Sequence, residues 1–355
     1  MRADLAIVGA GIIGCVIARE VVSRAPGTTV VVLDRDFAGA GASRRSAGLH
    51  FPRGATDRVR RMTAYSQDYY EKLKAARPDL PIHPLGMTVV ARMAGEQALR
   101  EVYLDEAALV PAGLPSGLKV RVPDDAGVWE ARGGQYADVP ALTQALAGEL
   151  RAAVTFREGA RVTAVEPARR DGSVTLRLGT GDAVTADRVV LAPGPWLAAP
   201  AWRDLVAPLG ARVKRVVALH VELIPDEHDG AIVFHDEDAF LLPLRSRGHW
   251  LFSYTNQEWD VDPDALTGGL SPGDVEQARA CLDRYAPDLA ERCLGGRAFC
   301  DAYSADREPL IRELTADGRV VFAGAANGSG YRLAPAIAAE AAGLLNLPSG
   351  SRSFT

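Results

Sequence analysis

Gly9, Gly11 and Gly14 stand at the G-x-G-x-x-G spacing with which a main chain closes around a pyrophosphate. Each glycine has a separate task. Gly9 permits the tight turn, Gly11 lets the backbone approach the phosphates, and Gly14 lets a following helix pack closely on a sheet. That helix begins with Ile12 and Ile13 and aims its N-terminus at the phosphates. Asp34 lies twenty residues beyond Gly14, just before Arg35, where a carboxylate accepts hydrogen bonds from ribose hydroxyls. The chemistry predicted is dinucleotide binding. A second glycine turn, Gly324 to Gly330, offers backbone N–H groups and a helix dipole to another electron-rich group.

These residues need elements to hold them. Leu5 to Val8 and Val30 to Asp34 are short apolar runs suited to buried parallel strands, and Val320 to Ala323 is a third, followed by a small-residue helix from Ala334 to Leu345. Val59, Met62, Tyr65, Tyr69 and Leu73 recur at helical spacing, predicting a helix over Asp57–Ala76. Met87–Ala91 reads as a strand before a charged helical stretch from Gly95 to Ala107. An amphipathic helix runs to Arg151 after the turn at Gly133–Pro140, and separate short strands follow around Val162, Val174–Leu178, Ala183 and Val189–Ala192. A block of strands over Val216–Leu223, Ala231–Phe234, Phe240–Leu244 and Trp250–Tyr254 predicts an antiparallel sheet with one wet face, before a helix around Val275–Tyr285.

Bulk properties narrow the class. With 355 residues the chain can hold about two domains. A net charge of −5 gives no general attraction to nucleic acid or anionic membrane. The four cysteines, Cys15, Cys281, Cys293 and Cys300, show no C-x-x-C or metal-ligand spacing, so no metal is expected. Four lysines occur, Lys72, Lys74, Lys119 and Lys214, leaving arginine to carry the positive charge. The first strand begins within a few residues, leaving no room for a signal peptide, and no run reaches the ~18 apolar residues of a membrane helix. A cytoplasmic protein is expected.

Four patches in this order resemble the D-amino-acid oxidase superfamily of FAD enzymes, which includes glycine oxidase and monomeric sarcosine oxidase. Besides Gly9 to Asp34, the segment Gly41–Gly48, with Ser43, Arg44, Arg45, Ser46, Ala47 and Gly48, looks like the family's serine and glycine stretch near the pyrophosphate and flavin ring. Leu191–Trp196, with Ala192, Gly194 and Trp196, is similar to the A-x-G-x-W motif. Asn327, Gly328, Ser329, Gly330, Tyr331 and Arg332 resemble the turn that holds the flavin's polar edge. Val162 is counted with the coenzyme-contacting positions. The resemblance implies FAD, held without a covalent link, and an α/β fold. A Rossmann-type FAD-binding domain (1–84, 134–208 and 306–355) would carry an α+β substrate domain (85–133 and 209–305) built on an antiparallel sheet, as in the glutathione-reductase-2-like FAD fold.

In this family a hydride passes from a carbon bearing an amine to flavin N5, and the imine then hydrolyses. The resemblance therefore implies oxidation of a small amine or amino acid, with O2 as acceptor. His50, Phe240, Asp301 and Arg332 are the expected substrate-side residues. Phe240 stands where relatives present a tyrosine to the substrate carboxylate, and Asp301 where they carry an arginine. Charge-assisted bonds to a carboxylate are worth roughly 1.5–3 kcal/mol each, whereas a carboxylate about 4 Å from Asp301 is repelled by roughly 4 kcal/mol at an effective dielectric near 20. Either the anchor moves to Arg332, where sarcosine oxidases have a lysine, or Asp301 binds an ammonium on a specialised substrate. A structural ion pair between Asp301 and Arg307 is the third option.

His50 faces the flavin or stacks within its loop. Arg53, Arg58, Arg60 and Arg61 add positive potential or form a solvated helix face. Cys300 lies one residue from the position of covalent flavin attachment in sarcosine oxidases, and a buried inert thiol is expected instead. No lysine follows Lys214, so His249, an arginine or a water would assist O2. The rival readings are a 2-hydroxy-acid oxidase or dehydrogenase with His50 or His249 as base, a flavin-binding protein without oxidase activity, and an enzyme for a carrier-bound aminoacyl group.

Overall fold

Apolar runs buried on both faces build the central sheet of the computed structural model, which describes residues 1–114, 120–167, 172–266 and 269–345. Lys119 and the last ten positions of the expected FAD-binding domain lie outside the described residues. Val154–Arg157, Val30–Leu33, Arg2–Val8, Ala183–Leu191 and Val320–Gly324 lie parallel in that order, and Leu310–Glu313 pairs antiparallel with the last. Leu5 and Ile7 point to one core with helices Ile12–Arg24, Val139–Leu150 and Gly330–Leu344. Ala6 and Val8 point to the other, with Leu176, Leu178 and Cys300. Val8, Leu33, Leu191 and Phe322 end in register. A shared carboxyl edge of this kind is where open α/β sheets bind ligands.

The expected pair of short strands around Ala183 and Val189 is one strand, Ala183–Leu191. Asp187 and Arg188 break its apolar run without breaking the strand, because Arg2 donates to Asp187 at 2.9 Å and Arg188 donates to Gly318 O at 3.2 Å. Its outer edge is divided: Val174–Leu178 pairs antiparallel with the first half and Val320–Gly324 parallel with the second. Helix Asp57–Ala76 has the predicted bounds and is capped by Thr56, whose side chain accepts from Val59 N–H. The stretch after Gly95 forms only Glu96–Val102, because Tyr103 turns extended before a short turn at Asp105–Ala107.

The second sheet runs Cys293–Tyr303, Arg212–Val221, His249–Trp259, Ala239–Leu244, Ala231–Phe234, Met87–Arg92, Ala126–Ala131 and Val110–Pro111. It corrects two expectations. The pairing of Ala231–Phe234 with Met87–Arg92 is parallel, so the sheet is mixed. Neither face is wet along the central strands: Phe234, Trp250 and Phe252 pack with Ala278, Cys281 and Leu282 of helix Pro272–Asp283 on one side. On the other, Leu242, Leu251 and Phe299 pack with Leu49, Tyr103 and Trp129. A small sheet of Leu49–His50, Gln135–Ala137 and Ile82–Pro84 lies between the two large ones in sequence. Among the described residues, no helix is long and apolar enough to cross a membrane, and no group of three or more ligating side chains could hold a metal.

Candidate active site

A cavity of about 1340 Å³ opens at the carboxyl edge of the parallel strands and continues to the second sheet. It exceeds the roughly 300–1,000 Å³ of an ordinary small-ligand pocket, leaving room for a dinucleotide and a substrate together. Gly9 has φ +108°, and a Cβ there would stand 2.2 Å from Ala192 O. A Cβ on Gly14 would stand 1.9 Å from Gly9 O, so Gly14 serves close packing and does not itself line the cavity. Gly11, Ile12 and Ile13 do line it. Ser43 Oγ accepts from Ile12 N–H at 2.9 Å, which leaves the hydroxyl hydrogen to donate elsewhere. The N-cap residue of helix Ile12–Arg24 is Gly11, which has no side chain to cap it, so apart from the Ile12 N–H taken by Ser43 its positive end is available to an anion. Asp34 accepts from the N–H groups of Ala10 at 2.7 Å and Asp36 at 2.9 Å, while burial raises its pKa. These two bonds fix the carboxylate and leave lone pairs for ribose hydroxyls.

The C-terminal turn reaches the same cavity. Ala325, Asn327 and Gly328 have φ of +49°, +53° and +74°. Asn327 spends its side chain on the turn itself, accepting from Ser304 N–H at 3.0 Å and donating to Ala325 O at 3.1 Å. Helix Gly330–Leu344 also lacks a side-chain cap. Two uncapped helix N-termini, from opposite ends of the chain, thus address one elongated space. FAD fits this arrangement: the first turn would hold its pyrophosphate and the second would face the polar edge of its ring.

Most of the other expected coenzyme residues also line the cavity, among them Ser46, Ala47, Val162, Ala192 and Gly194. Arg35 and Trp196 line it as expected, joined by Asp264, which sequence reasoning missed. Arg35 is bidentate to Asp264 at 2.9 and 3.3 Å, Trp196 Nε1 donates to Asp264 at 2.8 Å, and the guanidinium lies 4.2 Å from the Trp196 ring centre. Besides Gly14, three residues fall outside the wall. Arg44 and Arg45 are exposed, and Gly48 has φ +75° because a Cβ would stand 1.9 Å from Ala137 O.

His50 also differs from expectation. It is fully buried behind the wall, in edge contact with Tyr70 and Tyr331, and burial followed by the nearby Arg332 charge lowers its pKa to about 3. A neutral core histidine results. Cys300 packs into the core beneath the central sheet while its strand neighbours Phe299 and Asp301 line the cavity, and burial lifts the thiol to about 12. It is not placed to attach a coenzyme. His249 lies outside the cavity with its ring 4.5 Å from that of His220, whose pKa falls to about 4 through burial and then the His249 charge.

Phe240, Asp301 and Arg332 all line the cavity. Asp301 is open to the cavity, and burial against the strands lifts its carboxyl to about 7. Among the described residues no cation lies within 4 Å of it, so the ion pair with Arg307 does not form. Arg332 donates to Arg53 O at 2.5 Å and Ser329 Oγ at 2.7 Å and lies over Phe51, but no carboxylate among the described residues reaches it. Burial, then the Arg53 charge, lowers its pKa to about 10. Arg53 lines the cavity too and reaches only the exposed Asp238, at 3.9 Å. Buried nearby, without partners, are the Tyr103 hydroxyl and His235 Nδ1. Tyr103 and His235 gave no sequence signal, because a bridge between Arg53 and Tyr103 and the turn after Phe234 bring them in.

The family model of FAD dependent oxidoreductases (DAO) matches residues 4–344. No curated protein matches the chain. Among solved structures, NikD, an unusual amino acid oxidase essential for nikkomycin biosynthesis, is 18% identical with a TM-score of 0.79, covering 99% of this chain and 96% of that one. Glycine oxidase from Geobacillus kaustophilus is 18% identical with a TM-score of 0.76, each chain being covered in full. L-alpha-glycerophosphate oxidase from Mycoplasma pneumoniae, solved with FAD bound, is 18% identical with a TM-score of 0.80, covering 99% and 97%. At such identities the likeness shows the fold. Family match and cavity together lead to one conclusion: the chain belongs to the DAO family of FAD-dependent oxidoreductases.

Proposed function

We propose that the enzyme oxidises the C–N bond of a small amine or amino acid to an imine, with O2 as acceptor. The observation that carries this reading is the presence, in one cavity, of a guanidinium and a carboxyl that no counter-charge neutralises among the described residues. Bound FAD supplies the hydride acceptor. Arg332 presents its remaining N–H donors to a substrate carboxylate, and its planar fork suits a bidentate grip. Arg53 adds a second positive charge. Asp301 takes the proton from the substrate ammonium, a transfer suited to a carboxyl titrating near neutrality. The amine then carries the free lone pair that hydride loss from its carbon requires. Phe240 and Phe299 give the reacting carbon an apolar wall.

For the acceptor step, the cationic group is the Arg297 guanidinium, which lies 3.3 Å from Nε2 of the neutral His220 and donates to Arg45 O at 3.2 Å. It lies behind the segment whose Ser46 and Ala47 line the cavity, and supports O2 reduction by favouring negative charge there. Oxidation of a 2-hydroxy acid would use the same Arg332 anchor, with Asp301 as base in place of His50 or His249. Anaerobic mixing with amines, amino acids and 2-hydroxy acids tests the reading. Bleaching by an amino compound with release of ammonia or amine supports it; bleaching only by hydroxy acids, or by nothing in either class, overturns it.

A further inference from the structure

Lys214 is a buried cation for which the reaction above has no use. It is 8% exposed, lines the cavity, and has no carboxylate within 4 Å among the described residues. Its one polar partner is Gln257 Oε1 at 3.3 Å, which takes one of three ammonium protons. Asp301 is its direct neighbour across the sheet, yet the ammonium turns away toward two rings, 4.8 Å from the centre of Trp259 and 5.8 Å from that of Tyr303. Arg212, near the same Trp259 ring at 4.9 Å, is already neutralised by Asp260 at 2.8 and 2.5 Å.

A second cation stands beside Lys214. Arg307 lines the cavity, is exposed, and forms no ion pair among the described residues. Its φ of +61° is one that a non-glycine residue seldom adopts, and such strain collects at ligand clamps. Its charge contributes, after burial, to lowering the Lys214 pKa, so the two cations repel each other across the cavity mouth. The counter-charge that acts on Lys214 is Asp238, an exposed carboxylate already drawn to Arg53.

We propose that the substrate carries a second anionic group, a carboxylate or a phosphate, remote from the reacting C–N bond, and that Lys214 and Arg307 receive it beside the Trp259 and Tyr303 rings. The proposal rests on the Arg332 anchor and adds a substrate class to it. The spacing follows from the strand: Asp301 and Tyr303 are two residues apart on one face, so the second group sits roughly 7 Å beyond the amine. A chain of about four to six bonds spans that gap.

The test titrates the FAD-loaded protein with unbranched dicarboxylates, ω-phosphonocarboxylates and monocarboxylates of matched length, read by perturbation of the flavin absorbance. One of the two dianion series should bind ~10- to 100-fold more tightly than the monoanions, the gain of a charge-assisted pair. Whichever series gains identifies the group. Lys214→Gln should abolish the gain and leave monocarboxylate affinity in place, and Lys214→Arg should restore most of it. Equal affinity for mono- and dianions overturns the proposal, as does a Lys214→Gln loss shared by both. None of these probes is oxidised, so failure of every amine to bleach the flavin would count against the amine reading alone.

Discussion

The two ends of the cavity recognise their ligands by different means. At the nucleotide end the work falls to the backbone: helix N-termini, N–H groups and glycines whose missing Cβ lets two chains cross. At the proposed substrate end it would fall to side chains, Asp301 and Lys214 on strands, Arg53 on a short bridge and Arg332 in the first turn of helix Gly330–Leu344, with the main chain as support. A backbone site tolerates almost no substitution yet says little about chemistry beyond the coenzyme. A side-chain site can be rewritten one residue at a time without disturbing the fold.

If the contrast holds, the largest effect of any single methyl group belongs to the first end. Gly14→Ala puts a Cβ 1.9 Å from Gly9 O, and overpacking of this kind costs ~1–3 kcal/mol or more. The expected outcome is protein that loses its yellow colour on desalting and melts at lower temperature. Full retention of FAD would erase the distinction between the ends.

Arg332→Ala should do the reverse, leaving the flavin spectrum intact while lowering kcat/KM by ~30- to 100-fold, chiefly through KM, as expected for a lost charge-assisted pair. An unchanged KM would remove Arg332 from substrate binding.

Asp301 sharpens the comparison through pH. Its folded pKa is raised to about 7 from 3.8, so the folded state binds the extra proton. Its stabilising contribution is therefore whole below pH 3.8 and is lost as pH rises through 7, to a limit of about 4 kcal/mol. Asp301→Asn should melt higher than the parent at pH 8 and show no such advantage at pH 4, by calorimetry. The same variant should lose the rise in kcat/KM centred near pH 7. A profile that keeps this limb assigns the proton to another group.

The smallest effect belongs to Asp264, which ties Arg35 to Trp196 at the mouth. Its side chain is 55% exposed, and ion pairs of that exposure contribute about 0–1 kcal/mol. Asp264→Ala should quicken FAD release by less than ~5-fold in a dilution experiment. A much larger change would mean that side chains also govern the nucleotide end.

The same contrast explains what could be read in advance. Gly9, Gly11 and Gly14 were legible because a backbone crossing leaves a fixed spacing in the chain. Gly48 shows the limit: its glycine is demanded by Ala137 O and not by a ligand. Arg44 and Arg45 were drawn in by adjacency to Ser43 and Ser46, but the short helix Ala42–Arg45 turns them outward. His50 carried the right chemistry in the right segment, yet two tyrosines enclose it. Lys214 and His235 come to the cavity wall, and Tyr103 to the neighbouring Arg53, only through pairing and turns between strands, and partners far apart in sequence leave no local trace. The second sheet was taken as half wet because its strands alternate, although helix Pro272–Asp283 covers one face and Leu49, Tyr103 and Trp129 pack on the other.

Strand Val320–Gly324 slots beside Ala183–Leu191 only after the intervening strands of the second sheet have been synthesised, and the helix it feeds offers its N-terminus to the same cavity as helix Ile12–Arg24. The segment up to Leu191, emerging earlier, presents a phosphate turn with nothing to face it. Loading with FAD would then follow synthesis of helix Gly330–Leu344, and yellow colour would report that this helix is in place.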